Sequence, residues 1–178
     1  IYYEHCSYFS IGSLARLFRH CRFKVTDLCK DFNDQYIMIE ARPTLQLSNK
    51  INLIEENVTK LASYVQYFAS HYEEKLSQWR DLIQRSYENG QRVIIWGSGS
   101  KCVAFLTTLG IKDEVEYVVD LNPFRHGKFI PGAGKEIMAP KFLKECRPDL
   151  TIVMNPVYCQ EIKQLIVGMN IDTEVITF

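Results

Sequence analysis

An α/β fold built on a doubly wound parallel sheet is what this sequence of 178 residues predicts. From Arg92 onward, short continuous apolar runs alternate with helical stretches, the pattern of strands covered on both faces. The first of those runs, Val93-Ile94-Ile95-Trp96, passes directly into Gly97-Ser98-Gly99 and then into a helix. Ahead of it lies a long amphipathic helical pattern, and ahead of that a small helix–strand–strand unit.

The elements follow in order. Ser10 stands where an N-cap belongs, and Ile11, Leu14, Ala15, Leu17 and Phe18 recur at helical spacing up to the basic stretch Arg19-His20-Cys21-Arg22. Phe23, Val25 and Leu28 lead one strand, and Tyr36 to Ala41 form another. Two strands and one helix cannot enclose a core, so this unit is expected to complete a larger body. Pro43 to Lys50 is a polar break. From Leu53 to Ile83 apolar residues keep a three-and-four spacing, predicting one long helix or two in succession, stopped by Asn89-Gly90. After the first strand and its helix, ended by Gly110, come a strand at Glu116 to Asp120 and a Pro/Gly-rich excursion from Asn122 to Gly134. A short helix after Pro140, a strand at Leu150 to Met154, a helix at Tyr158 to Val167 and a strand at Glu174 to Phe178 complete the chain. This order describes a Rossmann-like domain.

Composition narrows the function classes. Twenty-one basic residues balance twenty-one acidic ones, mixed along the chain, so no field recruits nucleic acid or an anionic membrane. No apolar run reaches the length of a membrane span, which points to the cytoplasm. The six cysteines show no CxxC or Cys/His pairing that would place thiolates around one metal, so no metal is expected and the thiols read as reduced and mostly buried. The chain opens at Ile1 inside a charged-aromatic cluster, which reads as a piece whose natural start lies upstream.

Two clusters carry chemistry. A strand ending in Gly97-Ser98-Gly99-Ser100-Lys101 and opening a helix brings backbone N–H groups and the positive helix end to one point, which suits a phosphate. Asp120, at the end of the next strand, stands where an acid could take a ribose hydroxyl. Cys102 fills the position of the third glycine of a GxGxxG turn. The same turn also suits a strand-to-helix junction that needs glycine and binds nothing, and both readings stay open. The second cluster, Tyr2, Glu4 and His5, pairs an imidazole with a carboxylate and a phenol, a combination able to act as base and oxyanion donor. From spacing alone the signal is weak, because a lone exposed histidine near a terminus is in most cases a plain surface residue.

A resemblance connects the two clusters. Tyr2-x-Glu4-His5-x-Ser7-Tyr8-Phe9-Ser10 with Ser13-Leu14-x-x-Leu17 and Phe23-x-Val25 is similar to the end of the S-adenosylmethionine domain of sugar C-methyltransferases. Gly97-x-Gly99-Ser100-Lys101, Tyr117-Val118-Val119-Asp120-x-Asn122-Pro123 and Gly127-Lys128-Phe129-Ile130-Pro131-Gly132 resemble that family's C-terminal domain. The resemblance implies that residues 1–43 are the tail of a class I methyltransferase domain and residues 44–178 a Rossmann-like C-terminal domain with its helical lead. It implies an acceptor that is a nucleotide-linked 4-keto-deoxysugar, with His5 as base, Glu4 orienting it and Tyr2 near the sugar. Gly97, Ser98, Gly99, Ser100, Lys101, Asp120 and Asn122 would then face the nucleotide. S-adenosylmethionine would be bound by an upstream domain, and zinc only by a module further upstream. The chain departs from the family where Arg22 replaces a glycine before Phe23 and Cys102 replaces the glycine after the motif lysine. Two other readings remain: an NAD-type nucleotide module using the turn and Asp120 together, and a scaffold whose long helix docks a partner or a second copy as a homodimer.

Overall fold

A computed structural model describes residues 5–46 and 50–178. The chain separates into two compact units, residues 5–72 and, among the described residues, 73–178.

In the first unit, α1 (Ile11–His20) lies on a hairpin of β1 (Phe23–Asp31) and β2 (Tyr36–Pro43). Ser10 caps α1 as expected: its hydroxyl accepts from Ser13 N–H, and the Ser13 hydroxyl accepts from Ser10 N–H. Ile11, Ala15 and Leu28 form the buried centre, flanked by Val25, Ile37 and Ile39. Arg22, between α1 and β1, has φ +60°. That left-handed backbone is what a glycine there would relieve, so Arg22→Gly should stabilise this unit by about 0.5–1 kcal/mol in thermal melts.

The apolar spacing suggested a helix starting near Leu53, but α2 runs from Val58 to Glu88 as one helix. Its start is set by Asn57, whose side chain accepts from Lys60 N–H at 2.8 Å. The preceding residues instead strap onto α1. Glu56 accepts from the Ser10 hydroxyl at 2.5 Å and from Gly12 N–H at 3.1 Å, and Arg16 donates to the Glu56 carbonyl at 2.8 Å. Arg19 and Glu55 form a two-pronged ion pair with side chains only 14% and 2% exposed. Its hydrogen bond to Arg19 holds the Glu55 carboxyl below the usual range despite burial. Removing one partner leaves the other charge shielded from water, so Arg19→Ala should destabilise this unit by about 2–3 kcal/mol, read as a lower urea midpoint.

The second unit holds a five-stranded parallel sheet in the order β5-β4-β3-β6-β7. Its strands are β3 (Val93–Trp96), β4 (Tyr117–Val119), β5 (Ile137–Met138), β6 (Leu150–Val153) and β7 (Glu174–Thr177). The Rossmann-like doubly wound sheet expected from the sequence is therefore present. β5, two residues long, was not foreseen: an edge strand this short carries no alternation to read. β3 and β6 are buried at every position, which explains their unbroken apolar runs.

Helices cover both faces. On one, α3 (Ser100–Leu109) and the C-terminal part of α2 pack through Cys102, Phe105, Leu106 and Ile83. On the other, Leu143 and Cys146 of α4 (Leu143–Cys146) and Ile162 and Ile166 of α5 (Cys159–Gly168) meet Ile94, Trp96 and Val153. Trp79 of α2 meets Phe105 edge-on at 5.3 Å and Phe178 at 5.6 Å between ring centroids. Deleting that ring should cost the second unit about 3 kcal/mol, so Trp79→Ala should lower its melting temperature by several degrees. Glycine ends the helices as predicted: Gly90 has φ +71° beyond α2, and Gly110 has φ +69° beyond α3. No helix among the described residues is long and apolar enough to cross a membrane.

Candidate functional site

The chain leaves β3 for β4 and β5 on one side, then returns to β6 and β7 on the other. A doubly wound sheet opens a crevice where its strand order reverses, here outside the carboxyl ends of β3 and β6. The turn Gly97-Ser98-Gly99 stands at that point. Gly97 has φ +109°, and a Cβ there would sit 3.4 Å from the Cβ of Met154, just past β6. The backbone angle, more than the contact, requires glycine, and Gly97→Ala should cost about 1–3 kcal/mol. Gly99 is the N-cap of α3 and supplies no side-chain bond, so the helix start relies on backbone groups.

Asp120, just beyond β4, organises this turn. Its Oδ2 accepts from Ser98 N–H at 2.8 Å and from the Ser98 hydroxyl at 2.5 Å, while Oδ1 accepts from Asn122 N–H at 2.8 Å. Arg125 donates to the Ser98 hydroxyl oxygen at 3.1 Å and lies 3.5 Å from Oδ2. Burial pushes the Asp120 carboxyl up, but the bonds from Ser98 and Asn122 and the charge of Arg125 outweigh it and hold the group below its ordinary value. His126 Nε2 lies 2.8 Å from the Asp120 carbonyl. A carbonyl only accepts, so that nitrogen carries the hydrogen. Asn122 in turn accepts from Phe124 N–H at 3.0 Å and starts the tight turn Pro123–Arg125.

Ser98, Asp120 and Asn122 are thus brought together as the sequence suggested, with Gly97 and Gly99 shaping the turn. Ser100 and Lys101 occupy the first turn of α3 and are partly exposed. A carboxylate has about four acceptor positions, and the loop takes three of them at Asp120. A ribose hydroxyl could approach Asp120 through the acceptor position left on Oδ1, since Oδ2 is taken by Ser98 and lies 3.5 Å from Arg125. Cys102 is fully buried, its thiol pushed up to about 12 by burial and by Asp120, and it packs in the core as an inert thiol.

Arg125 and His126 are participants the sequence reading missed. Their signal was modest: two basic residues directly after the Asn122-Pro123 turn, inside a segment read as a plain excursion. Arg125, with its side chain 44% exposed, adds positive charge beside the start of α3. The arrangement can present a fixed cationic group and a helix N-terminus to an anionic ligand.

In the first unit, His5 is exposed, with its ring 5.8 Å from that of Tyr8 and tilted by 55°. Tyr2 and Glu4 lie outside the described residues. Of the cysteines, Cys102, Cys146 and Cys159 are buried and Cys6, Cys21 and Cys29 are exposed, so the expectation of mostly buried thiols holds for half of them. The exposed three fall on a small unit with little interior to bury them. Among the described residues no three His, Cys, Asp or Glu side chains converge as metal ligands.

Comparison with known proteins decides the family. Residues 42–170 match the family described as the C-methyltransferase C-terminal domain. The chain belongs to that family. Over 171 residues it is 29% identical to the C-methyltransferase NovU of Streptomyces niveus, an alignment covering 91% of this chain and 41% of NovU. The chain therefore spans less than half the length of that curated relative. Among solved structures, UDP-D-quinovosamine 4-dehydrogenase from Vibrio fischeri is 18% identical, over 49% of this chain and 77% of that one, with a TM-score of 0.40. The Rex-family repressor RSP in complex with β-NADH is 16% identical, over 67% of this chain and 73% of that one, with a TM-score of 0.36. In this C-methyltransferase C-terminal domain, the Gly97–Gly99 turn, Asp120 and Arg125 are joined into one hydrogen-bonded polar cluster.

Proposed function

We propose that this chain is the C-terminal part of an S-adenosylmethionine-dependent C-methyltransferase acting on a nucleotide-linked 4-keto-deoxysugar, and that it helps to hold the acceptor. The match of residues 42–170 to the C-methyltransferase C-terminal domain carries the reading. In it, residues 1–43 are the end of the donor-binding domain. The smallness of the core around Ile11, Ala15 and Leu28 supports this, because a helix on a two-stranded hairpin does not stand alone. The methyl donor, and zinc if the parent carries it, are assigned to chain outside these residues.

Methylation at the carbon beside a ketone requires removal of a proton that is acidic only through the enolate it leaves. In this reading His5 takes that proton, Glu4 orients the imidazole, and Tyr2 donates a hydrogen bond near the sugar. The second unit contributes from the nucleotide end, remote from the reacting carbon, where binding energy fixes position. Lys101 and Asn122 are assigned to the diphosphate side, with Ser98 and Ser100 beside them.

Kinetics of the full-length enzyme test this division of labour. Lys101→Ala should raise KM for the nucleotide-sugar about tenfold while kcat and KM for S-adenosylmethionine change little. A fall in kcat with an unchanged KM would contradict the assignment.

A further inference from the structure

The first turn of α1 contains no Asp or Glu, although the positive end of a helix favours a negative charge there. That charge comes from the strap that precedes α2. Glu56 Oε1 accepts from the Ser10 hydroxyl and Oε2 from Gly12 N–H, bonds that span 46 and 44 residues of sequence. The Glu56 side chain is only 10% exposed, and Arg16 lies 3.6 Å from Oε1. Burial pushes the carboxyl up, but the bonds from Ser10 and Gly12 and the charge of Arg16 outweigh it, so the group is ionised at neutral pH.

The strap fits α1 closely. A Cβ on Gly12 would lie 2.5 Å from the Glu56 carbonyl oxygen and 2.7 Å from Oε1, so no side chain has room there. Gly12 stands inside α1, where alanine is the better helix former. Glycine at this position therefore serves the approach of Glu56 and not the helix itself.

Ser10 is the joint between this contact and the segment that carries His5. Its hydroxyl donates to Glu56 and accepts from Ser13 N–H at 3.3 Å, its N–H donates to the Ser13 hydroxyl at 2.8 Å, and its carbonyl accepts from Leu14 N–H at 3.0 Å. Residues 5–10 belong to no helix or strand, so no ladder of backbone bonds sets their course. The His5 ring lies 5.8 Å from that of Tyr8, two residues before Ser10.

We propose that Glu56 is a positioning residue for the reaction: by fixing Ser10 it sets the course of the segment that carries Tyr8 and His5. This rests on the reading of His5 as the base. A base works only within hydrogen-bond reach of its proton, and a displacement of about 1 Å caused far from the chemistry can cost about 10²-fold in rate.

Rates of the full-length protein with both substrates saturating test the proposal. Glu56→Gln turns one of the two acceptor oxygens into a donor, and Gly12→Ala displaces the strap while leaving the carboxylate intact. Each should lower kcat about tenfold with KM for S-adenosylmethionine little changed. Because Glu56 acts through His5, neither change should lower the residual kcat of His5→Gln any further. A tenfold loss repeated in the His5→Gln background is what a general loss of stability produces, and it would overturn the proposal. So would normal kcat in both single variants while His5→Gln is slow. A normal kcat in His5→Gln itself would remove the base reading, and this inference with it.

Discussion

If His5 is the base proposed above, replacing it by glutamine in the full-length protein should lower kcat by about 10²–10⁴, the range that a positioned general base supplies. Glutamine keeps a hydrogen-bonding side chain of similar reach but cannot accept the proton from the carbon beside the ketone. The loss should therefore appear in kcat, with KM for the nucleotide-sugar and for S-adenosylmethionine nearly unchanged. His5 is exposed and precedes the capped start of α1, so the substitution removes nothing from the buried set Ile11, Ala15 and Leu28. Steady-state rates with both substrates saturating, checked against an unchanged circular dichroism spectrum, measure the effect. A variant with normal kcat would remove His5 from the base role.

The second large effect belongs to Asp120. Asp120→Ala should destabilise the 73–178 unit by about 3 kcal/mol, because it strips partners from Ser98 N–H, the Ser98 hydroxyl and Asn122 N–H together. Ser98 is 8% exposed, so water replaces those bonds poorly. The carboxyl's folded pKa is held below its unfolded value. Its contribution is therefore fully present above the unfolded carboxylate range, near about pH 4, and is lost as pH falls through the folded pKa. Urea midpoints should consequently differ most between wild type and variant near neutral pH and converge on acidification. Glu55 and Glu56 are held low as well, so wild type minus variant is the informative quantity. A difference that persists unchanged into acid would show that Asp120 does not act through its charge.

Much of the second unit was legible in the sequence because its strands are buried on both faces. Val93 to Trp96 and Leu150 to Val153 had to be unbroken apolar runs, and glycine marked the strand-to-helix turn and the helix ends. β5 was not legible: two residues at a sheet edge leave no period to read. The start of α2 was misread because Leu53 and Ile54 happen to continue the helical spacing. What ends the helix there is a set of distant partners, Glu55 with Arg19 and Glu56 with Ser10, Gly12 and Arg16, which spacing alone does not reveal.

The site divides in the same way. Glycines at positions 97 and 99 announced the turn, and Asp120 announced itself by its distance from it. Its partners did not: Ser98 reaches Asp120 across 22 residues and Arg125 reaches Ser98 across 27, so the lock exists only in the folded chain. The sequence offered Asp120 as a ligand residue, whereas in the fold it is occupied within the loop it shapes.

Isothermal titration of the chain with a nucleoside diphosphate, its deoxysugar conjugate, NAD and S-adenosylmethionine, side by side, tests the acceptor-holding role most directly. Binding of the diphosphate and its sugar conjugate, weakened by Arg125→Ala, is expected, with no heat from NAD or S-adenosylmethionine. Binding of NAD with none of the nucleotide-sugar would contradict it and make the chain a dinucleotide module.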